Sequence, residues 1–177
     1  MGKSGSGKTT IMKLLIKMHE PSKGIIYMDG QNSKDICQKD IRDNIYYVNQ
    51  RTILFDESVL YNFQYGNDVK KENIVNMLQK YDLLSMFDTL SKGLDTDSGV
   101  NGSNLSLGMQ KVLMVMRGIL KPHKSIVIFD EPLTSLDKNT RKKIVKLITE
   151  ETKGKTLIII SHDPEILPHS DNTIQLN

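Results

Sequence analysis

Residues 2–9 read Gly-Lys-Ser-Gly-Ser-Gly-Lys-Thr, a pattern of the form G-x-x-x-x-G-K-[ST]. Glycines in such a stretch let the backbone turn tightly and direct successive N–H groups toward one anion. An apolar stripe at helical spacing follows: Ile11, Leu14, Leu15 and Met18. A helix over residues 9–18 directs the positive end of its dipole at bound phosphates. We therefore interpret residues 2–9 as a phosphate-binding loop, with Lys8 reaching the β- and γ-phosphates and the Thr9 hydroxyl binding Mg²⁺.

The first residues also match a second pattern. Residues 1–6, Met-Gly-Lys-Ser-Gly-Ser, fit the pattern for N-myristoylation of Gly2. That pattern is far looser than the loop pattern, so we favour the phosphate-binding loop. Such a loop ordinarily follows a β-strand, whereas this chain starts at the loop. We expect either that the chain is a fragment or that the protein is made without the upstream strand.

Composition narrows the class of protein. The chain has 177 residues, which suits one domain, and it is 38% hydrophobic and 25% charged, as a folded domain with a real core should be. Lys plus Arg is 24 and Asp plus Glu is 21, and the resulting +3 is too small to indicate a nucleic-acid partner. A single cysteine excludes a disulfide within the chain. No apolar run approaches the ~20 residues that a membrane span needs.

Strand and helix patterns alternate along the chain. Short apolar runs predict strands, and those at 126–129 and 157–160 are continuous enough for burial on both faces: 24–29, 45–48, 126–129, 157–160 and a last one at 173–176. Apolar residues at helical spacing predict helices at 74–81, at 139–149 and after Ser106, which is a candidate N-cap. Strands alternating with helices predict an α/β fold with a mainly parallel sheet.

Polar side chains follow both of the continuous apolar strands. Asp130 and Glu131 come directly after the first, and His162 comes two residues after the second. Because parallel sheets bind ligands at the carboxyl ends of their strands, we expect these side chains to share one crevice. One carboxylate there suits Mg²⁺, the other suits orienting or deprotonating a water, and His162 is a candidate partner of the γ-phosphate. The remaining histidines lack metal-ligand spacing.

With these residues in place, the sequence resembles the nucleotide-binding domain of an ATP-binding-cassette (ABC) protein over nearly its whole length. The family's motifs have counterparts in family order: residues 2–9 (Walker A), Gln50 (Q-loop), 105–109 (signature), 126–131 (Walker B and catalytic glutamate), 135–137 (D-loop) and His162 (switch histidine). The stretches 19–30, 52–66 and 99–102 resemble the exporter type in particular.

The resemblance implies one domain over 1–177, with a P-loop NTPase core and a helical subdomain inserted at about 51–120. It implies a head-to-tail dimer with a second such domain, identical or not. It also implies transmembrane domains as partners, with the region after Gln50 as the coupling surface, and hence a place on the cytoplasmic side of a membrane. The chain is then truncated before Walker A, which should leave the strand at 24–29 with an exposed edge.

The same resemblance assigns roles to individual residues for the ligands ATP and Mg²⁺. ATP is expected on Gly2, Lys3, Ser4, Gly5, Ser6, Gly7, Lys8, Thr9 and Thr10, and Mg²⁺ on Thr9, Asp130 and Gln50. Glu131 is expected to polarise the attacking water, while His162 and Gln50 contact the γ-phosphate region. Ser106 and Gly108 are expected to cap the ATP of the opposite subunit, and Asp137 belongs to the D-loop.

The signature departs from the family pattern L-S-G-G-Q. Leu107 stands where its first glycine should be and Met109 stands where its glutamine should be. A leucine side chain at a close approach of backbone to phosphate is sterically unfavourable, so we expect weaker closure over ATP. Two alternatives to a transporter ATPase stay open at this point: an ABC ATPase with no transport role, and a non-hydrolysing regulatory module.

Overall fold

The computed structural model describes residues 6–49, 53–121 and 124–176. The helices are α1 (Lys8–Leu15), α2 (Gln38–Asn44), α3 (Val59–Gln64), α4 (Lys71–Lys80), α5 (Leu84–Asp88), α6 (Leu107–Ile119) and α7 (Lys138–Glu151). The strands are β1 (Tyr27–Met28), β2 (Gln31–Asn32), β3 (Ile45–Val48), β4 (Ile126–Asp130) and β5 (Thr156–Ile160). Short 3-10 helices lie at Gly93–Asp95, Val100–Gly102 and Pro164–His169.

A parallel sheet in the order β3-β4-β5 forms the centre of the fold. Successive residues of β4 point to opposite faces of the sheet, and each face carries its own core. Val127 and Phe129 pack into the larger apolar cluster, which includes α6 and α7, while Ile128 packs into a smaller cluster with α1 and α2. All three side chains are fully buried. The predicted α/β class with a mainly parallel sheet is confirmed.

Helix α6 lies unusually close to this sheet. A Cβ atom added at Gly118 would come within 2.9 Å of Val48 and 3.1 Å of Phe129. Only glycine leaves room for that approach, so α6 is held firmly against β3 and β4. Any side chain on α6 is therefore placed accurately relative to the strand ends.

Two predicted strands differ in the structure. The run at 157–160 was expected to be buried on both faces, but only Ile160 is buried and the other residues of β5 are half-buried or exposed. The reason is that β5, within the described residues, pairs with β4 alone and forms an edge of the sheet. No strand forms at 173–176, where the described residues show only a bridge at Leu176.

The predicted strand at 24–29 is also shorter than expected. Only Tyr27–Met28 is extended, and it forms a small antiparallel hairpin with Gln31–Asn32. Asp29 and Gly30 both have positive φ, at 48° and 78°, as a tight two-residue hairpin turn requires. The turn at Asp29-Gly30 therefore limits the length of this strand, although apolar residues precede it.

The face that α1 buries includes Leu15 of the predicted stripe but is otherwise shifted from it. Ile11 and Met18 are exposed, whereas Met12 and Ile16 are buried against the smaller core. Met12 also lies at helical spacing from Leu15 and Ile16, so the pattern allowed either face. The structure selects the one that meets Ile128 and Ile160 of the sheet.

Helices α3 to α6 lie between β3 and β4 in the chain, as the predicted inserted subdomain does. The predicted apolar face of α4 is confirmed, with Ile74 and Leu78 fully buried. The predicted helix after Ser106 is α6, and the one at 139–149 lies within α7. That the segment from about 51 to 120 forms a unit of its own stays a prediction.

Candidate functional site

The described end of the phosphate-binding loop has the expected form. Gly7 has φ of 88°, a left-handed conformation, and its carbonyl accepts the first α-helical bond of α1, from the Ile11 N–H at 3.0 Å. Lys8 opens the helix and its Nζ donates to Ser6 Oγ at 3.4 Å. Gly2, Lys3, Ser4 and Gly5 lie outside the described residues, as does Gln50. Among the described residues, α1 therefore begins at Lys8, directly after Gly7.

Asp130 lies at the carboxyl end of β4 and meets two hydroxyl groups. Thr9 Oγ1 donates to its Oδ2 at 3.4 Å, and Tyr47 OH donates to the same oxygen at 2.9 Å. Asp130 is buried, with 9% of its surface exposed. Thr9 and Asp130, assigned from separate motifs far apart in the chain, are therefore brought together.

Sequence reasoning missed Tyr47. In the sheet it pairs with Ile128, and Asp130 follows Ile128 by two residues, so all three side chains lie on one face. Burial, and then the hydrogen bond to Asp130, raises the pKa of Tyr47 well above its ordinary value of 10. The hydroxyl therefore keeps its proton and remains a donor to Asp130. The register of β3 against β4 was the missing signal.

Glu131 and His162 also meet, as predicted. His162 Nδ1 lies 3.0 Å from Glu131 Oε1, and Thr134 Oγ1 donates to Glu131 Oε2 at 3.2 Å. The Glu131 side chain is only 16% exposed, whereas that of His162 is 72% exposed. One carboxylate is thus shielded and oriented, and the imidazole beside it reaches into solvent. We refer to Asp130, Glu131 and His162 together as the carboxylate edge.

Arg141 joins the segment after Glu131 to Asp163, the residue that follows His162. Arg141 of α7 donates to the Leu136 carbonyl at 2.9 Å and to Asp163 Oδ2 at 2.8 Å. Asp137 caps α7 by accepting from the N–H groups of Asn139 and Thr140. Hydrogen bonding from Thr140, and less from Asn139, lowers the pKa of Asp137. The structure therefore gives Asp137 a capping role, and its proposed D-loop role stays a prediction.

Residues 105–109, which we call the signature turn, lead into α6. Ser106 Oγ accepts from the Met109 N–H at 3.3 Å, which confirms the predicted cap. Leu107 is 61% exposed. A Cβ atom at Gly108 would lie 3.0 Å from the end of the Met86 side chain. Among the described residues, no hydrogen bond joins Ser106 or Gly108 to the carboxylate edge.

An exposed aromatic cluster lies beyond Gln50. Phe55 and Tyr65 have ring centroids 4.1 Å apart, and Tyr61 lies 6.2 Å from Phe55. The buried Arg117 of α6 lies 5.3 Å from the Phe55 ring and donates to the carbonyls of Ile53 and Asn62. This arginine anchors the segment to α6, with Tyr61 and Tyr65 exposed at the surface and Phe55 half-buried between them and Arg117.

Within residues 6–49, 53–121 and 124–176, no group of three or more His, Cys, Asp or Glu side chains is placed to hold a metal ion by itself. None of the described helices is both long and apolar enough to cross a membrane.

Comparisons with known proteins agree on one family. The family model described as ABC transporter matches residues 1–134. The chain is 38% identical over 175 residues to the ABC transporter ATM1 of Plasmodium falciparum, covering 98% of this chain and 17% of that protein. It is 33% identical to the mitochondrial iron-sulfur clusters transporter ABCB7 of Oryzias latipes, covering 100% of this chain and 24% of the relative.

A solved structure shows the same fold. A bacterial Atm1-family ABC exporter with ATP bound superposes with a TM-score of 0.88 at 29% identity, over 99% of this chain and 31% of that one. The chain thus spans less than a third of the length of each protein it matches here.

Proposed function

We propose that this chain, which belongs to the ABC transporter family, binds and hydrolyses Mg-ATP as the nucleotide-binding domain of an exporter. The observation that carries the proposal is the meeting of four side chains from three separate motifs at one end of the sheet. Thr9 contacts Asp130, and Glu131 contacts His162. This arrangement supplies a metal-binding pair and a water-activating pair beside the helix end that binds phosphate.

The residues fit Mg²⁺ as the partner of the nucleotide. Thr9 Oγ1 and Asp130 Oδ2 are 3.4 Å apart, and both are hard oxygen donors. Mg²⁺ in phosphate sites takes one or two protein oxygens and completes its shell with water and phosphates, so a larger cluster of acidic ligands is not needed. Mg²⁺ supplies charge neutralisation at the β- and γ-phosphates. Gln50 completes the proposed metal contacts.

Glu131 is proposed to orient and polarise the attacking water. Its Oε1 and Oε2 are directed by His162 and Thr134, so the carboxylate keeps one orientation. The exposed imidazole of His162 is proposed to contact the γ-phosphate, as is Gln50. Positioning and charge stabilisation provide most of the rate in phosphoryl transfer, and this pair supplies both.

The phosphates themselves are proposed to bind residues 2–10. The backbone N–H groups of the loop, the Lys8 ammonium and the dipole of α1 all favour negative charge there. The loop ends at Gly7, whose left-handed conformation lets the chain enter the helix.

The site is proposed to be completed by a second domain packed head to tail. In this arrangement Ser106 and Gly108 of one subunit face the ATP bound to the other. The exposed side chain of Leu107 lies between them, and its bulk is expected to weaken closure. The partner domain is a second copy or a related domain.

The aromatic cluster is the proposed contact with transmembrane domains on the cytoplasmic side of a membrane. Tyr61 and Tyr65 are 44% and 47% exposed, and Ile53 beside them is 68% exposed. Exposed apolar residues grouped in this way mark interaction surfaces. Closure of the dimer would move this surface and so drive transport.

The test is Mg-ATP binding and turnover by the purified chain, with two variants. Lys8→Ala should abolish saturable binding, because the loop loses its fixed positive charge. Glu131→Gln should keep binding and lower turnover by about 10²–10⁴-fold, as expected for loss of a catalytic base. Binding without turnover in the unaltered chain would favour the regulatory module over the ATPase. Turnover that persists in Glu131→Gln would contradict the role given to Glu131.

A further inference from the structure

Every polar atom of Glu131 has a partner, and one of these partners comes from the helix that carries the signature turn. The Glu131 N–H donates to the Ile160 carbonyl at 2.9 Å, and its two carboxylate oxygens meet His162 and Thr134. The remaining atom, the backbone carbonyl, accepts from Lys111 Nζ at 3.1 Å and, at the longer distance of 3.5 Å, from the Thr134 N–H. Ile160, His162 and Thr134 belong to β5, the residues after it and the turn after β4, whereas Lys111 lies in α6.

The backbone at Glu131 is in a disfavoured conformation. Its φ is +53°, in the left-handed region that residues with a Cβ rarely adopt. Such a conformation persists only when surrounding contacts hold it. The φ angle of Glu131 sets both the direction of its carbonyl and the direction of its side chain. A donor fixed on the carbonyl therefore also helps to fix the carboxylate.

Lys111 is well suited to hold that carbonyl. Lys111 is half-buried, in a small cleft between α6 and β4 that is also lined by Val48, Met114 and Phe129. Burial lowers the pKa of Lys111, while the charges of Asp130 and Glu131 act in the opposite direction. A hydrogen bond from a partly desolvated ammonium is stronger than the same bond in water.

We infer that Lys111 is a positioning residue for Glu131, and that it links the signature helix to the carboxylate proposed to activate water. Lys111 acts through the Glu131 backbone and contacts no substrate itself. The link has a consequence for an assembled dimer. Movement of α6, when the signature turn meets the partner's ATP, is passed to the carboxylate that serves this chain's own ATP. The activity readout rests on the proposed function, whereas the structural readout does not.

The experiment compares Lys111→Met and Lys111→Arg with Lys121→Met. Lys121 is a matched control, because its ammonium also donates to a backbone carbonyl, that of Gly66, at 2.6 Å. Three quantities are measured: ATP turnover, the Kd of a fluorescent ATP analogue, and amide hydrogen exchange of residues 130–136 without nucleotide. A second variant, Lys111→Gln, is examined in the same way in case the Met variant does not fold.

Lys111→Met should lower turnover about tenfold, the size expected for one lost charge-assisted hydrogen bond, and change the Kd less than about twofold. Exchange at 130–136 should quicken while exchange in α6 stays the same. Lys111→Arg should restore most of the turnover, because it keeps a cationic donor, and Lys121→Met should behave like the unaltered chain.

Unchanged exchange at 130–136 in Lys111→Met would overturn the inference. So would a loss of turnover that Lys111→Arg does not restore, or faster exchange spread over all of α6, since each indicates a general packing role. If the unaltered chain binds nucleotide without turnover, the hydrolytic part of the proposed function fails. The exchange measurement then still decides the role of Lys111.

Discussion

The carboxylate edge and the signature turn differ in where their functional groups find partners. At the carboxylate edge, Asp130 and Glu131 are held by hydrogen bonds from within the same chain. At the signature turn, the side chain of Leu107 is largely exposed, and Ser106 uses its oxygen on its own helix end. Contacts within one chain therefore account for the first region, whereas the role proposed for the second requires another molecule.

This difference suggests how the two regions tolerate change. A substitution at the carboxylate edge removes one support from an interconnected set, so its effect should be large. A substitution at the signature turn alters a surface, so its effect within the isolated chain should be confined to the start of α6.

The largest effect is expected for His162→Ala. Removing the imidazole frees Glu131 Oε1 and removes the proposed γ-phosphate contact, so turnover should fall about 100-fold. Single-turnover hydrolysis at saturating ATP measures this. His169→Ala is the control, because this exposed histidine lies beyond the carboxylate edge. If turnover fell by a similar factor in His169→Ala, or did not fall in His162→Ala, the role proposed for His162 would be wrong.

Tyr47→Phe should lower the free energy of unfolding by about 2 kcal/mol, because Asp130 is buried and loses one of its donors. Urea unfolding without nucleotide measures this, with the exposed Tyr27→Phe as the control.

The pH dependence of this effect has a definite sign. The folded state raises the pKa of Tyr47 above its ordinary value of 10. The stability that Tyr47 contributes is therefore fully present below pH 10 and is lost as the pH rises through the folded pKa. The difference between the unaltered chain and Tyr47→Phe should be constant from pH 7 to about 9 and shrink above 10. A stability difference that grows above pH 10 would contradict the hydrogen bond from Tyr47 to Asp130.

The sequence predicted some contacts of the carboxylate edge and missed others. The meeting of Glu131 and His162 was predicted because parallel strands bring their carboxyl ends to one edge. The meeting of Thr9 and Asp130 was expected from the family resemblance, which assigns both to Mg²⁺. Tyr47 and Lys111 were not predicted. Each depends on a spatial relation, the register of β3 in one case and the close packing of α6 in the other, that no local pattern encodes.

Three predictions about the fold were wrong or only partly right, and each has a physical reason. The apolar run of β5 reads like that of β4, but burial on both faces depends on having a strand on each side. In α1 the pattern allowed two faces, and contact with Ile128 and Ile160 decided between them. At 24–29 the turn chemistry of Asp29-Gly30 ended the strand early. Tertiary neighbours overrode local pattern in the first two cases, and local turn geometry overrode apolar character in the third.

Leu107→Gly should raise ATP turnover, whereas substitutions at the carboxylate edge should lower it. Removing the side chain lets the backbone of the signature turn approach a partner's phosphates, so turnover should rise about tenfold, equivalent to about 1.4 kcal/mol. Leu107 is the first residue of α6, so the free energy of unfolding should fall by no more than about 1 kcal/mol. ATP turnover is measured over a range of protein concentrations, because the effect requires a second subunit. Leu107→Ala should be intermediate, and equal turnover across all three proteins would mean that Leu107 does not limit closure.

The smallest effect is expected for Ser106→Ala, and its control separates the two roles of this serine. Loss of the cap on Met109 should cost about 1 kcal/mol of stability. Ser58→Ala removes an equivalent cap from α3, where Ser58 accepts from the Tyr61 N–H at 3.0 Å, and should cost about the same. If Ser106 also meets a partner's ATP, only Ser106→Ala should lower turnover beyond what its stability loss explains. Equal stability and equal turnover in the two variants would reduce Ser106 to a helix cap, and the signature turn would then have no function that this serine carries.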